Sequence, residues 1–342
     1  MKLHKMNKIL VTGGLGYIGS HTVVALQNAG YEVVIIDDLS NTNIDFLDRI
    51  TSITSIKPSF YQIDLKDQEK VNEFFKTNKI DGIINFAAHK AVGESVEKPL
   101  MYYRNNLLGL INLLDAMKDY NADNIIFSSS CTVYGQADHM PINEQTPLKK
   151  PESPYGKTKQ MGEEILEDFS TAFDKNVICL RYFNPVGAHP TAKIGELPKG
   201  IPNNLIPYVT QTAAGIREAL SVWGDDYPTR DGTAIRDYID VNDLADAHVK
   251  AVTRLIENKN KAKLEFFNLG TGTGSTVLEV VHAFEDANDL KLNYQIKERR
   301  AGDIIEAYAD NSYAEKELGW KPETQLAESM RTAWEWQKSL EQ

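Results

Sequence analysis

Two side chains four residues apart, Tyr155 and Lys159, could together transfer a proton near neutral pH. They follow Ser153 and Pro154, which suit the cap and the first turn of a helix, so both fall on one helical face. A tyrosine normally titrates near pH ~10, but a neighbouring ammonium favours the phenolate and lowers that pKa. The pair therefore predicts an acid–base group, although the same spacing also occurs on ordinary helix surfaces.

A glycine-rich turn lies near the start of the chain, between apolar strands predicted over 9–11 and 33–36. It fits both Gly14-x-Gly16-x-x-Gly19 and Gly13-x-x-Gly16-x-x-Gly19, and a helical pattern follows it. Such glycines let backbone N–H groups approach a pyrophosphate at the start of a helix. Asp37 ends the second strand, where a carboxylate holds the adenosine ribose and repels a 2′-phosphate. The pattern predicts a dinucleotide site that prefers NAD to NADP.

Apolar strands and helices continue to alternate as far as Asn184. Further strands are predicted over 60–63, 83–88, 125–127 and 177–182, with helices over 106–120 and from 155 onward. This alternation predicts an α/β fold, in which a Rossmann-type parallel sheet carries helices on both faces. Ligands bind beyond the carboxyl ends of such strands. The candidate residues that fall there are Asp64, Ala87, Lys90 and Ser130.

Pro, Gly and Asn become frequent after Asn184, which indicates a change of architecture. We therefore expect a NAD-binding Rossmann domain over 1–184, onto which 236–270 packs back with a helix and a strand. The remaining segments, 185–235 and 271–342, are expected to form a smaller α/β domain that binds the substrate.

Composition excludes several function classes. The 342 residues carry a net charge of −11, which argues against a nucleic-acid partner because phosphate binding needs a basic face. The two cysteines, Cys131 and Cys179, give no disulfide framework and favour a reducing, cytoplasmic compartment. The seven histidines show no metal-ligand spacing, so no metal is expected. No stretch approaches the ~20 apolar residues of a membrane span, so no membrane partner is expected.

Several motifs together resemble the extended short-chain dehydrogenase/reductase family and, within it, the enzymes that epimerise UDP-hexoses at C4. The motifs are GGLGYIG from Gly13, KAVGES from Lys90, Ser128-Ser129-Ser130 before Val133-Tyr134-Gly135, Tyr155-x-x-x-Lys159, RYFNPVG from Arg181, GIPNNL from Gly200, Gly232-Thr233 with RDY from Arg236, and RRAGD from Arg299. The resemblance extends from Ile9 to about Trp336 and so covers nearly the whole chain.

The resemblance implies a mechanism with NAD as a tightly held cofactor. Tyr155 would take the proton of the sugar 4′-hydroxyl while C4 gives its hydride to NAD+. The 4-keto sugar would then rotate, and hydride would return to its other face. Lys159 would lower the pKa of Tyr155, and Ser130 would hydrogen-bond the 4′-oxygen.

The resemblance also implies which residues bind each ligand. The expected cofactor residues are Gly13, Gly16, Tyr17, Ile18, Gly19, Asp37, Asp38, Leu39, Asn41, Asp64, Leu65, Phe86, Ala87, Ala88, Lys90, Asn105, Ser128, Tyr155, Lys159 and Tyr182. The expected substrate residues are Lys90, Ser130, Tyr155, Phe183, Asn184, Asn204, Leu205, Ser221, Val222, Trp223, Arg236, Arg300, Asp303 and Ala307. Arg236 and Arg300 would hold the diphosphate, because a guanidinium forks onto phosphate oxygens.

Ala307 departs from a pattern found in some members, which carry a bulky tyrosine four residues after the Gly-Asp aspartate. A small side chain there would leave space near C2 of the sugar, where an N-acetyl group lies. We therefore expect UDP-N-acetylglucosamine and UDP-N-acetylgalactosamine as substrates besides UDP-glucose and UDP-galactose. A neighbouring side chain such as Tyr308 could instead fill the space.

Two other functions stay open at the level of sequence. A nucleotide-sugar 4,6-dehydratase would need an acid–base pair, usually Asp-Glu, directly after Ser130, where this chain has Cys131 and Thr132. A non-catalytic NAD-sensing or scaffold protein would not need the Tyr155, Lys159 and Ser130 set that is present. The resemblance further suggests a homodimer, with helices over 106–120 and 155–169 forming a four-helix contact.

Overall fold

The computed structural model describes residues 6–299 and 304–340. Its strands are β1 (Lys8–Thr12), β2 (Glu32–Asp37), β3 (Ser59–Gln62), β4 (Gly82–Asn85), β5 (Asn124–Ser130), β6 (Asn176–Tyr182), β7 (Asn184–Val186), β8 (Leu220–Trp223), β9 (Ile235–Arg236), β10 (Tyr238–Asp240), β11 (Leu264–Leu269), β12 (Ser275–Thr276), β13 (Tyr294–Lys297) and β14 (Glu306–Ala307). Its α-helices are α1 (Tyr17–Asn28), α2 (Asp45–Thr54), α3 (Gln68–Thr77), α4 (Val92–Glu97), α5 (Pro99–Tyr103), α6 (Gly109–Asp119), α7 (Pro154–Phe173), α8 (Leu205–Ala213), α9 (Val241–Ile256), α10 (Val277–Asn288), α11 (Ser312–Leu318) and α12 (Leu326–Ser339).

Seven parallel strands form the central sheet, in the order β11-β6-β5-β4-β1-β2-β3. Side chains of a strand alternate between its two faces. Ile9 and Val11 accordingly pack into a core with α1, α2 and α9, whereas Leu10 packs into a second core with α3, α6 and α7. Both faces of the sheet are therefore apolar and covered by helices. The predicted Rossmann-type parallel sheet is confirmed.

The carboxyl ends of the central strands meet at one edge of the sheet. Five of these strands end at Thr12, Asp37, Asn85, Ser130 and Tyr182. Because the strands are parallel, residues at and just beyond these positions can surround one ligand. This edge therefore collects the candidate residues that the sequence places after strands.

The helix predicted over 106–120 is longer in the structure and is interrupted by a π-helical turn. The helical segment starts earlier, at Pro99, and a π-helical turn (Arg104–Leu108) joins α5 to α6. Each π turn holds one residue more than an α turn, so it shifts the faces of the two parts relative to each other. The turn contains Asn105 and Asn106, and Asn106 is buried. The interruption therefore lies beside the candidate cofactor residues.

Residues after Asn184 build small sheets around a core of their own. The sheets are β10-β7, β12-β9-β14 and β13-β8, and α8, α10 and α12 supply most of that core. Two elements return to the central sheet, because β11 pairs with β6 and α9 packs on α1. The predicted domain boundaries, 1–184 with 236–270 and 185–235 with 271–342, stay a prediction.

Within 6–299 and 304–340, no helix has both the length and the apolar composition to cross a membrane. Over the same ranges, no group of three or more His, Cys, Asp or Glu side chains is arranged to hold a metal ion. Cys131 and Cys179 are both free thiols.

Candidate active site

The glycine turn between β1 and α1 has no room for side chains. Gly13 has a φ of +68°, and a Cβ there would lie 2.9 Å from the main-chain nitrogen of Ala87. A Cβ on Gly19 would overlap the Gly13 carbonyl oxygen. Among the described residues no side chain caps α1 at Gly16. The N–H groups of the first turn are thus presented by bare backbone, which suits a dinucleotide pyrophosphate.

Asp37 lies at the end of β2 beside this turn. Its carboxylate accepts the N–H of Leu15 at 3.1 Å and the N–H of Leu39 at 3.0 Å. Burial raises the pKa of Asp37, and these two hydrogen bonds oppose that effect. The next carboxylate, that of Asp38, accepts the N–H of Ser40 at 2.8 Å, and Asn41 beyond it is exposed. Two carboxylates beside the turn suit ribose hydroxyls and disfavour a phosphate.

A second group of candidate cofactor residues follows β3 and β4. Lys66 donates to the Asp64 carboxylate at 2.9 Å and to the Asn105 amide oxygen at 2.8 Å, which joins the end of β3 to the π turn. The neighbouring Leu65 is buried against Gly109. The ring of Phe86 lies 4.7 Å from the buried His248 ring. After Ala87 and Ala88, the main chain of His89 is hydrogen-bonded to the side chain of Asn106.

Asn106 is the residue that holds this loop. It accepts the N–H of His89 at 2.8 Å and donates to the carbonyl of the same residue at 3.1 Å. It also donates to Thr158 on α7 at 3.0 Å. Sequence patterns did not single out Asn106; its only signal was its place beside Asn105.

Lys90 was expected to contact the cofactor and the substrate. It is paired with Glu196, which lies in the loop between β7 and α8. The Lys90 ammonium lies 2.7 Å from the carboxylate of Glu196 and 5.9 Å from the centre of the Tyr17 ring. The same Glu196 oxygen accepts the amide of Asn204 at 2.7 Å. Glu196 thus joins a candidate cofactor residue to a candidate substrate residue. No sequence motif marks this role, because the contact with Lys90 spans 106 residues.

The predicted catalytic residues meet at the end of β5. The side chain of Ser130, at the end of β5, lowers the pKa of the Tyr155 phenol. The Lys159 ammonium donates to the Ser128 carbonyl at 2.5 Å and lies 5.8 Å from the centre of the Tyr155 ring. Tyr182, at the end of β6, is hydrogen-bonded through its hydroxyl to the side chain of Ser128. The structure therefore brings together all three residues that the sequence assigned to proton transfer.

The expected pKa of the phenol is wrong. The sequence predicted that Lys159 lowers the pKa of Tyr155, but burial raises it to about 12, and the side chain of Ser130 opposes only part of that rise. Lys159 is itself buried, which lowers the pKa of its ammonium to about 8. Both shifts have one cause, because burial disfavours the charged form of either group.

The candidate substrate residues fall into two groups. Arg236 on β9 pairs with Ala307 on β14, and Ala307 is buried in one apolar cluster with Phe183. That cluster includes Val133 from the turn after Ser130, so it adjoins the reacting centre. Asn184 begins β7, and its N–H bonds the carbonyl of Asp237 at 2.9 Å.

The second group lies in other elements. Asn204 and Leu205 begin α8, and Ser221, Val222 and Trp223 belong to β8, which pairs with β13 in a separate small sheet. The place of these residues at the site stays a prediction. Arg300 and Asp303 lie outside the described residues.

Asp237 is an anchor that the sequence did not reveal beyond its place next to Arg236. It is fully buried, and its carboxylate accepts four hydrogen bonds, from the N–H and hydroxyl of Thr271 and from the N–H groups of Gly272 and Ala309. Ala309 follows Ala307 by two residues. Asp237 therefore fixes both Arg236 and the strand that carries Ala307.

Known proteins resemble the chain along nearly its whole length. A family model described as GDP-mannose 4,6 dehydratase matches residues 10–333. UDP-glucose 4-epimerase of Bacillus subtilis (strain 168) is 52% identical over 332 residues, which cover 97% of this chain and 97% of that protein. The chain belongs to the UDP-glucose 4-epimerase family.

Two solved structures of that family superpose closely on the chain. UDP-glucose 4-epimerase from Stenotrophomonas maltophila, with bound NAD and formylated UDP-arabinopyranose, has a TM-score of 0.94 at 46% identity, covering 98% of this chain and 99% of that one. The enzyme from Bifidobacterium longum, in complex with NAD+ and UDP, has a TM-score of 0.93 at 46% identity and covers 97% and 98%. The relatives that cover the full length are thus epimerases, whereas the broader family model is described as a dehydratase.

Replacing Gly19 with alanine should weaken dinucleotide binding. The new Cβ would overlap the Gly13 carbonyl, and relieving such overpacking costs about 1–3 kcal/mol, or roughly five- to a hundredfold in affinity. Titration of cofactor-depleted protein with NAD measures the change. Gly93→Ala is the matched control, because no atom lies within 4 Å of a Cβ there. A Gly19→Ala protein that binds NAD as tightly as the parent would contradict the role of this turn.

Proposed function

We propose that this protein catalyses the NAD-dependent 4-epimerisation of UDP-hexoses, interconverting UDP-glucose and UDP-galactose. The observation that carries the proposal is the convergence of Tyr155, Ser130 and Lys159 at the sheet edge that also holds the glycine turn. The epimerase relatives, 46–52% identical over nearly the full length, support the same reaction. The protein is therefore an isomerase built on an oxidoreductase fold.

The residues of the turn fit NAD, as described above. Backbone N–H groups of Tyr17 and Ile18 at the start of α1 would bind the pyrophosphate, and Asp37 would bind the adenosine ribose. The remaining expected cofactor residues stay predicted contacts of NAD. When bound, NAD supplies the redox chemistry, which is reversible hydride transfer at C4 of the hexose.

The proton is handled by the protein. Tyr155 Oη accepts the proton of the 4′-hydroxyl as C4 is oxidised and returns it after the 4-keto sugar has turned over in the pocket. Ser130, whose side chain lowers the pKa of the same phenol, would provide a path between Oη and the 4′-oxygen. The Lys159 ammonium lies 5.8 Å from the centre of the Tyr155 ring, and a cation at that distance favours the ionised phenol. The pKa of Tyr155 would fall further beside the second positive charge of bound NAD+.

Arg236 would bind the diphosphate of the substrate, and Arg300 and Asp303 stay predicted partners of the nucleotide. Asn184, Asn204, Leu205 and the β8 residues Ser221–Trp223 are proposed contacts of the sugar and uracil. A 4,6-dehydratase is disfavoured, because Cys131 and Thr132 follow Ser130 and burial raises the pKa of the Cys131 thiol to about 12. A non-catalytic protein has no need of the buried Lys159.

Tyr155→Phe should lower kcat for UDP-galactose by about 10²- to 10⁴-fold, the range for loss of a general acid–base group. A coupled assay of UDP-glucose formation measures this, together with the absorbance of bound cofactor after addition of sugar. Tyr61→Phe on β3 removes a hydroxyl away from the site and should change kcat little. Equal rates for Tyr155→Phe and the parent would overturn the proposal.

We also propose that N-acetylated UDP-hexoses are substrates. What supports the proposal is the small side chain of Ala307, which pairs with Arg236 and lies in one apolar cluster with Phe183. Tyr308 does not fill the space expected there, because its ring lies against Gly274, where a Cβ would be 3.1 Å away. Alternation along the strand directs these two side chains to opposite faces.

Ala307→Tyr should therefore reduce turnover of UDP-N-acetylglucosamine about 10- to 100-fold more than that of UDP-glucose, because only the former needs the space. Product analysis with both sugars measures the ratio. Ala262→Tyr, at an exposed position before β11, controls for the added ring. Absence of turnover of the acetylated sugar by the parent would refute this extension.

A homodimer is the third proposal. Leu100, Leu108 and Ile111 are exposed at helical spacing along α5, the π turn and α6, and they are 66%, 43% and 43% accessible. A row of large apolar side chains on a helix favours burial against a second copy of the same surface.

The free thiols Cys131 and Cys179 favour a reducing compartment, and we propose a cytoplasmic location.

Leu108→Glu should convert the dimer to a monomer, because a charge would be buried at the contact. Light scattering coupled to size-exclusion chromatography gives the mass. Ile56→Glu, at a similarly exposed site outside this row, should leave the mass unchanged. A parent protein that is monomeric at micromolar concentration would contradict the dimer.

A further inference from the structure

Glu163 is a buried carboxylate to which the proposed reaction assigns no role. It lies on α7, one turn after Lys159 and two turns after Tyr155, so the three side chains share a face. Only 4% of Glu163 is exposed. A carboxylate is retained at such depth only when donors surround it.

Three donors from the central sheet converge on this carboxylate. Ser129 Oγ donates to it at 2.5 Å, and Arg181 donates from Nε at 2.8 Å and from Nη2 at 2.6 Å. Ser129 and Arg181 are direct partners across β5 and β6. Arg181 also donates to the hydroxyl of Tyr134 at 3.0 Å, in the turn after β5. Glu163 thus fastens one point of α7 to two strands and to the turn beyond them.

The end of β5 meets α7 at three successive helical turns. The three contacts join Tyr155 with Ser130, Lys159 with Ser128, and Glu163 with Ser129. The first two contacts position the groups that move the proton. The third contact lies one helical turn further along α7. Of the three, it is the one that a bidentate ion pair, between Glu163 and Arg181, reinforces.

Glu163 also lies one helical turn from Lys159, and its charge opposes the lowering of the Lys159 pKa by burial. The other titratable groups around Lys159 that are at least partly buried are Tyr155 on α7 and Cys179, Arg181 and Tyr182 on β6. Lys157, Glu164, Glu167 and Asp168 of α7 are exposed. Burial raises the pKa of the thiol and of both phenols, which disfavours their charged forms. Arg181 is a cation. Of the four acidic side chains on α7, only Glu163 is buried.

We propose that Glu163 is a positioning residue for the epimerase reaction, which acts through Lys159. Its carboxylate holds α7 against Ser128–Ser130 and supplies the charge that keeps the Lys159 ammonium protonated as the pH rises. This inference rests on the proposed function, because Lys159 serves there beside Tyr155.

The test is the pH dependence of kcat for the NAD-loaded enzyme and its Glu163→Gln variant. Glutamine has the same shape but no charge, so the ammonium of Lys159 loses its proton at lower pH. The alkaline limb of the profile should move down by about one pH unit, with kcat near pH 9 reduced about tenfold more than kcat near pH 7. A purely structural role would lower kcat at every pH without moving the limb.

Two further variants keep the result interpretable. Ser129→Ala removes one hydrogen bond and keeps the charge, so its alkaline limb should match that of the parent. Glu163→Asp keeps the charge but withdraws it by one methylene, so kcat should fall severalfold with an unmoved limb. If Glu163→Gln does not fold, the aspartate variant decides, and a kcat equal to the parent's overturns the inference.

An unmoved limb, or one that shifts to higher pH, in a folded Glu163→Gln protein also overturns the inference. Neither result affects the proposed function, which fails only if the parent itself does not epimerise UDP-hexoses.

Discussion

The active centre depends on how closely helix α7 approaches the end of β5. The Lys159 ammonium reaches the main-chain carbonyl of Ser128, and this is possible because Gly162 presents no side chain toward the strand. A Cβ on Gly162 would lie 2.7 Å from the ring of Phe127. A wider separation of helix and strand would take the phenol away from Ser130 and the ammonium away from its carbonyl. Catalytic geometry in this fold is thus set by backbone packing one turn away from the reacting groups.

Much of the central domain could be predicted because its signals are local. Short apolar strands followed by helices indicated the parallel sheet, and a glycine turn with Asp37 eighteen residues later indicated the dinucleotide site. Tyr155 and Lys159 were accessible for the same reason, since both lie on one helix. Helices α2 and α3 escaped notice because each is only ten residues long, which is the lower limit at which a helical pattern can be told from a short strand.

The rest required contacts between distant parts of the chain. The pKa of Tyr155 could not be read from its spacing to Lys159, because the burial that raises it is produced by the whole fold. Glu163 was visible as a residue, but its role depends on Arg181 in a strand that pairs with β5. Asp237 likewise becomes an anchor only once β11 and β14 end beside it.

The carboxylate of Glu196 has a consequence for how tightly any ligand is held. Lys90 and Asn204 both bond this one oxygen, so a ligand phosphate or hydroxyl that recruits either of them must compete with an internal anion. A ligand that recruits Lys90 or Asn204 exchanges one hydrogen-bond partner for another, so that single bond contributes only the difference between two similar bonds. Affinity at this edge of the sheet is therefore moderated by a side chain that need not touch the ligand, which favours the repeated release of product over its retention.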